Sequence, residues 1–167
     1  MVGMSVEPSP GASRWLAYPA ALGACLGAAL IGSLITSPHL EGWYAGLAKP
    51  WFTPPNRAFP FVWTLLYLMM GVAAGRVAAI PRATPLQRRG LVLFVAQLVL
   101  NVAWSFAFFG RESPEAGMLT IVFLFAAIGA TTTVFWRLDR LAAWLMVPYL
   151  AWVGFAVALN AAIVALN

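Results

Sequence analysis

The sequence predicts an all-α membrane protein: a five-transmembrane-helix bundle with a Pro- and Trp-rich loop between the first and second helices. Three observations carry that prediction. Only 9% of the 167 residues are charged and 62% are hydrophobic, whereas a water-soluble domain carries roughly 25% charged residues. The mean hydropathy of +0.85 is too high for a small globule that must cover its surface with polar groups. Finally, all ten basic and five acidic residues fall outside five uninterrupted runs, 15–37, 58–75, 90–110, 116–136 and 141–167. At a 1.5 Å rise per residue, about 20 residues cross a ~30 Å hydrocarbon layer, so each run suffices for one span. The runs are apolar on all faces, which distinguishes them from the alternating ~10-residue strands of a membrane barrel.

Residues 1–14 contain Pro8, Pro10 and Gly11 and read as a mobile N-terminal tail. Residues 15–167 read as one membrane domain without tandem repeats. The first helix, about 15–37, is much longer than the 7–15-residue core of a secretory signal and is therefore expected to be retained. It carries Gly23-x3-Gly27 and Ala28-x3-Gly32, spacings that permit close helix approach within the bundle or between subunits. Cys25 among these small residues reads as a packing thiol.

The first connection, residues 38–57, is twenty residues long and holds Trp43, Tyr44, Trp51 and Phe52. Its Pro50, Pro54 and Pro55 fix φ and remove backbone donors, so the segment is expected to be stiff and partly extended rather than helical. A long aromatic loop of this kind reads as a lid over the mouth of the bundle. His39, at its start, reads as an interfacial residue. The remaining helices are expected at about 58–80, 90–110, 116–136 and 141–166. Connections of five residues (111–115) and four (137–140) make the third, fourth and fifth helices antiparallel neighbours.

The charges set orientation and exclude functions. A pI near 10.2 would suggest nucleic acid for a soluble protein, but here the basic residues flank spans, so the partner is the lipid bilayer and no nucleic acid is expected. Seven of them (Arg14, Arg76, Arg82, Arg88, Arg89, Arg137, Arg140) lie on the N-terminal side and three (Lys49, Arg57, Arg111) on the other. That bias places the N-terminus in the cytoplasm, and a bacterial inner membrane is the expected location. One cysteine and one histidine allow neither an intramolecular disulfide nor a His/Cys metal cage. No Ser–His–acid set can be assembled in the bundle, which removes hydrolytic chemistry. The five runs contain no carboxylate or basic group, which weighs against ion-coupled transport.

The few polar residues inside the helices recur at one-turn spacing. Gln97, Asn101 and Trp104 share a face of the third helix, Trp63 and Tyr67 one of the second, and Tyr149, Trp152, Ala156 and Asn160 one of the fifth. An amide in lipid needs a partner, so these faces should point into the bundle. Aromatic groups beside hydrogen-bonding groups on three helices make a pocket for a flat, largely apolar ligand.

Taken together, these residues resemble a known family. Trp43-Tyr44-x4-Lys49-Pro50-Trp51-x2-Pro54-Pro55, Trp63-Thr64-x2-Tyr67, Gln97-x3-Asn101-x2-Trp104 running to Phe108-Phe109-Gly110, and Pro148-Tyr149-Leu150-x-Trp152-x2-Phe155-Ala156 with Asn160 are similar to the tryptophan-rich sensory proteins, the TspO/MBR family that includes the translocator proteins or peripheral-type benzodiazepine receptors. The resemblance implies a dimeric five-helix bundle that binds tetrapyrroles such as protoporphyrin IX as ligand, with no required cofactor. It implies ligand contacts at Tyr44, Pro54, Trp63, Asn101, Trp104, Trp152 and Ala156. Lys49 and Arg57, the basic residues of the first loop, are candidates to pair with the ligand's carboxylates. The implied role is sensory, regulatory or carrier-like. The alternatives are passive transport of hydrophobic ligands and light- and oxygen-dependent porphyrin breakdown, in which Trp63 and Trp152 would be the oxidisable indoles. Val157 stands where many members have Thr, and the sequence after Asn160 lacks the family's sterol motif, so dedicated sterol binding is not expected.

Overall fold

The computed structural model describes residues 10–167, with side chains from Arg14 onward. Most of the expected tail therefore lies outside the described residues. What is described is a run of helices: α1 (Pro10–Thr36), a 3-10 turn (Ser37–His39), α2 (Trp43–Gly46), α3 (Ala58–Ala78), α4 (Pro85–Ser105) continuing as a π-helical turn (Phe106–Gly110), α5 (Pro114–Leu138) and α6 (Arg140–Leu166). Five of these segments are long and apolar enough to cross a membrane.

Boundaries follow end chemistry more than charge. The third span starts at Pro85, five residues before the expected 90. Thr84 forms a capping box, its Oγ1 accepting the Gln87 N–H at 3.1 Å while Gln87 Oε1 accepts the Thr84 N–H at 3.4 Å. Arg88 and Arg89, placed in a connection by the charge pattern, thus lie on the exposed first turns of α4, where long stems can follow the helix and the heads reach water. Gln87 Nε2 also donates to the Val77 carbonyl at 2.9 Å, satisfying an end of α3 that would otherwise lack a partner. Likewise α1 begins at Pro10 rather than 15. The later connections also shrink: Arg111–Ser113 separates α4 with its π turn from α5, and Asp139 alone separates α5 from α6. The first loop is not wholly extended, because it holds no proline between Pro38 and Pro50 and the four residues of α2 form in that interval.

Helix α1 lies against α3 along a glycine seam. A Cβ on Gly71 would come within 3.0 Å of the Leu22 Cα, and one on Gly75 within 3.0 Å of the Tyr18 Cα, so the two backbones touch. Of the small-residue pairs in α1, Gly32 serves the bundle, with Ser105 Oγ 3.3 Å from where its Cβ would be. Gly23 and Gly27 do not, for nothing lies within 4 Å of theirs. The face of α1 that meets α3 carries Tyr18 and Leu22 instead. Further packing joins α4 with α5 and α5 with α6, the antiparallel neighbours that short connections require. The core between helices holds Cys25, Met70, Ile121, Ile128, Met146 and Tyr149, all fully buried. Large apolar side chains such as Leu34, Phe61, Val95, Phe123 and Trp144 point outward, the arrangement expected where the surrounding solvent is hydrocarbon.

Candidate functional site

A cavity of about 440 Å³ lies in the half of the bundle nearest the first loop, within the size range of small-molecule sites. Helix α3 contributes Phe59, Trp63 and Tyr67, α4 contributes Asn101, Trp104 and Ser105, and α6 contributes Trp152, Ala156, Asn160 and Ile163. Each set repeats at three or four residues, which is why one face of each helix supplies it. Tyr44 of α2 and Leu40 close the top, and Ser33 and Thr36 of α1 complete one side. None of the lining side chains carries a formal charge.

The walls are held by hydrogen bonds and rings. Tyr67 Oη donates to Asn101 Oδ1 at 2.5 Å, and Asn101 Nδ2 donates to Tyr149 Oη at 2.9 Å, so one carboxamide joins α3, α4 and α6 beneath the cavity. Asn160 Nδ2 donates to the Pro114 carbonyl at 2.8 Å, and its Oδ1 accepts Trp104 Nε1–H at 3.4 Å. Trp104 stacks on Phe108 with centroids 5.6 Å apart, and Trp152 packs edge-on against Phe59 at 5.9 Å. The π-helical turn matters here. It carries Phe108 and Phe109 of the lining, and both are buried against Tyr44, consistent with the tendency of π turns to occur at functional sites. Gly117 leaves room for this, since a Cβ there would come within 2.6 Å of the Phe108 ring and 3.0 Å of Asn160 Oδ1. Burial raises the Tyr44 phenol above its ordinary pKa, so it stays neutral.

The structure thus brings Tyr44, Trp63, Asn101, Trp104, Trp152 and Ala156 to one cavity. Pro54, Lys49 and Arg57 lie outside the lining. The Lys49 ammonium is held within its own turn, donating to the Leu47 carbonyl at 3.1 Å and the Ala45 carbonyl at 3.3 Å and lying 4.7 Å from the centre of the Tyr44 ring. Arg57 is exposed at the start of α3. Gln97 is fully buried one turn from Asn101 but does not line the cavity, and its carboxamide bonds no described group. Phe108 and Phe109, which close the third-helix motif without being among the expected contacts, also line the cavity. The hydroxyls of α1, Ser105 and Phe59 line it as well, and nothing in their sequence pattern marks them as ligand contacts.

A bundle of five spans enclosing an uncharged, indole-lined cavity under an aromatic loop defines the class as a multi-pass membrane protein with an internal apolar cavity. The chain belongs to the TspO/MBR family, whose model matches residues 21–166. It is 42% identical to the "Tryptophan-rich protein TspO" of Chlorobaculum tepidum over 87% of this chain and 92% of that one. It is 35% identical to the "Tryptophan-rich sensory protein" of Cereibacter sphaeroides over 92% of each. The human "Translocator protein" is 38% identical over 73% of this chain and 74% of its own. The chain is accordingly a multi-pass integral membrane protein embedded in a lipid bilayer.

Proposed function

We propose that this chain binds a tetrapyrrole of the protoporphyrin IX type in the cavity, as a homodimer in a bacterial inner membrane, in a sensory or carrier role. The observation that carries the reading is the lining: Trp63, Trp104 and Trp152 with Phe59 and Phe108 around about 440 Å³ without a charged group. A tetrapyrrole is a wide aromatic plate with carboxylates at one edge. Indole faces hold the plate by stacking and burial of apolar area. The carboxylates cannot be buried without partners, so they stay at the rim, where the basic residues of the roof loop, Lys49 and Arg57, are the proposed partners. Family names among the relatives, sensory protein and translocator, agree with a binding role without fixing the ligand.

The test is a titration of the purified protein with protoporphyrin IX, followed by tryptophan quenching. Loss of two stacking faces in a Trp63→Ala, Trp152→Ala double variant should weaken binding at least tenfold, allowing about 0.5–1.5 kcal/mol for each aromatic contact beyond its buried area. Wild-type affinity in that variant would remove the cavity as the site.

A further inference from the structure

The roof of the cavity is fastened by the last residue of the chain described here. Asn167 stands one turn beyond Ile163 at the end of α6, and its carboxamide is fully used. Nδ2 donates to the Ile163 carbonyl at 2.8 Å and to the Ala48 carbonyl at 3.0 Å, while Oδ1 accepts the Ala48 N–H at 2.9 Å. These two bonds to Ala48 are the only hydrogen bonds found between the roof segment 43–49 and the rest of the described residues outside that loop. Within the segment the remaining bonds are local: Lys49 Nζ to the Ala45 and Leu47 carbonyls, and the turn bonds of α2. The roof is otherwise attached by apolar packing, with Trp43 and Tyr44 against Phe108 and Phe109 and Leu47 in the same cluster as Leu159 and Ile163. Apolar packing of that kind is non-directional. A paired hydrogen bond fixes position.

We propose that Asn167 is the positioning residue of the roof: by pairing with the Ala48 backbone it holds α2, and with it Tyr44, over the cavity and so sets how fast a bound ligand leaves. The chemistry is specific. The backbone of Ala48 presents one donor, its N–H, and one acceptor, its C=O, and a carboxamide answers both from one planar group. Aspartate would keep the acceptor and set a carboxylate against the Ala48 carbonyl, alanine would keep neither, and glutamine would keep both on a longer stem.

Two measurements test this, on wild type, Asn167→Asp, Asn167→Ala and Asn167→Gln in nanodiscs. Amide hydrogen exchange of segment 43–49 without ligand tests the fastening itself. Dissociation of protoporphyrin IX, which rests on the binding reading above, tests its consequence. The Ala variant should exchange about tenfold faster at Ala48, with α6 peptides around Met146 unchanged, and should release ligand faster by a similar factor with little change in association; the Asp variant, which still accepts the Ala48 N–H, should fall between it and wild type. The Gln variant should recover part of both. Wild-type exchange in Asn167→Ala, or loss of protection throughout α6, would overturn the positioning role, and faster exchange with an unchanged release rate would overturn control of release. If wild type binds no protoporphyrin IX, the ligand assignment fails while the exchange experiment still decides whether Asn167 holds the roof.

Discussion

Asn101 shows how a single side chain can be legible in place and still hide its task. An amide within an apolar run demands a partner, and the one-turn spacing to Trp104 puts it on the inner face. Its oxygen and one of its N–H groups are in fact engaged by Tyr67 and Tyr149. Its first task is therefore to pin three helices, which leaves one N–H for the cavity. Asn101→Ala should lower stability by about 1–3 kcal/mol, because two buried phenols lose their shared partner; thermal unfolding in detergent, with Asn101→Gln as the conservative comparison, measures this. Trp63, Trp152 and Ala156 are readable for the same reason as Asn101. Ser33, Thr36 and Ser105 are not. Hydroxyls on helices commonly bond the carbonyl four residues back, as Ser37, Thr64, Thr120, Thr131, Thr132 and Thr133 do here, so a hydroxyl in a span carries no signal that it faces a cavity.

At the scale of elements, the number and order of spans follow from hydropathy, while their ends depend on local bonds. The Thr84-x-x-Gln87 capping box stands in the sequence, but the neighbouring arginines mask it, because charge beside an apolar run resembles a break in the span. The π-helical turn leaves no such trace, since Phe106–Gly110 is as apolar as an α-helical continuation would be. Asp139 shows what a one-residue junction must do. Its Oδ1 accepts the Ala142 N–H at 2.9 Å as the N-cap of α6, and its Oδ2 accepts Arg76 Nη2 at 2.8 Å, tying the end of α3 to that junction. Burial alone would raise this carboxyl, but the Ala142 N–H and the Arg76 guanidinium outweigh it and hold the pKa below the ordinary carboxylate value. A lowered folded-state pKa stabilises the protein above the unfolded value, about 3.9, and that contribution is lost as pH falls from there through the folded value. Wild type should therefore lose stability below about pH 4 in part through Asp139. An asparagine side chain at this position would still cap α6, so Asp139→Asn should retain the helix start, lose the ion pair and show a shallower fall in melting temperature over the same acid range.

At the scale of the whole molecule, the direction in which the bundle faces decides which compartment the roof meets. The roof loop, the Arg111–Ser113 turn and Asn167 lie at one end of the bundle, and the α3–α4 and α5–α6 junctions at the other, as alternation of five spans requires. The second end carries Arg76, Arg82, Arg88, Arg89, Arg137 and Arg140, and Arg14 on α1 joins them; the roofed end carries Lys49, Arg57 and Arg111. Basic residues in short loops are retained on the cytoplasmic side. The roof and cavity should then face outward and take a ligand from outside the cytoplasm or from the outer leaflet. Two exposed positions make this measurable. Trp51 is 95% exposed in the roof loop, and Arg82 is exposed in the α3–α4 connection. In a Cys25→Ala background, which removes the one native thiol, Trp51→Cys should react with an impermeant maleimide in intact cells, and Arg82→Cys only after permeabilisation. The reverse pattern would turn the molecule over and present the cavity to the cytoplasm. Labelling of both in intact cells would show a population inserted both ways, the outcome expected if a margin of seven basic residues to three does not dominate insertion.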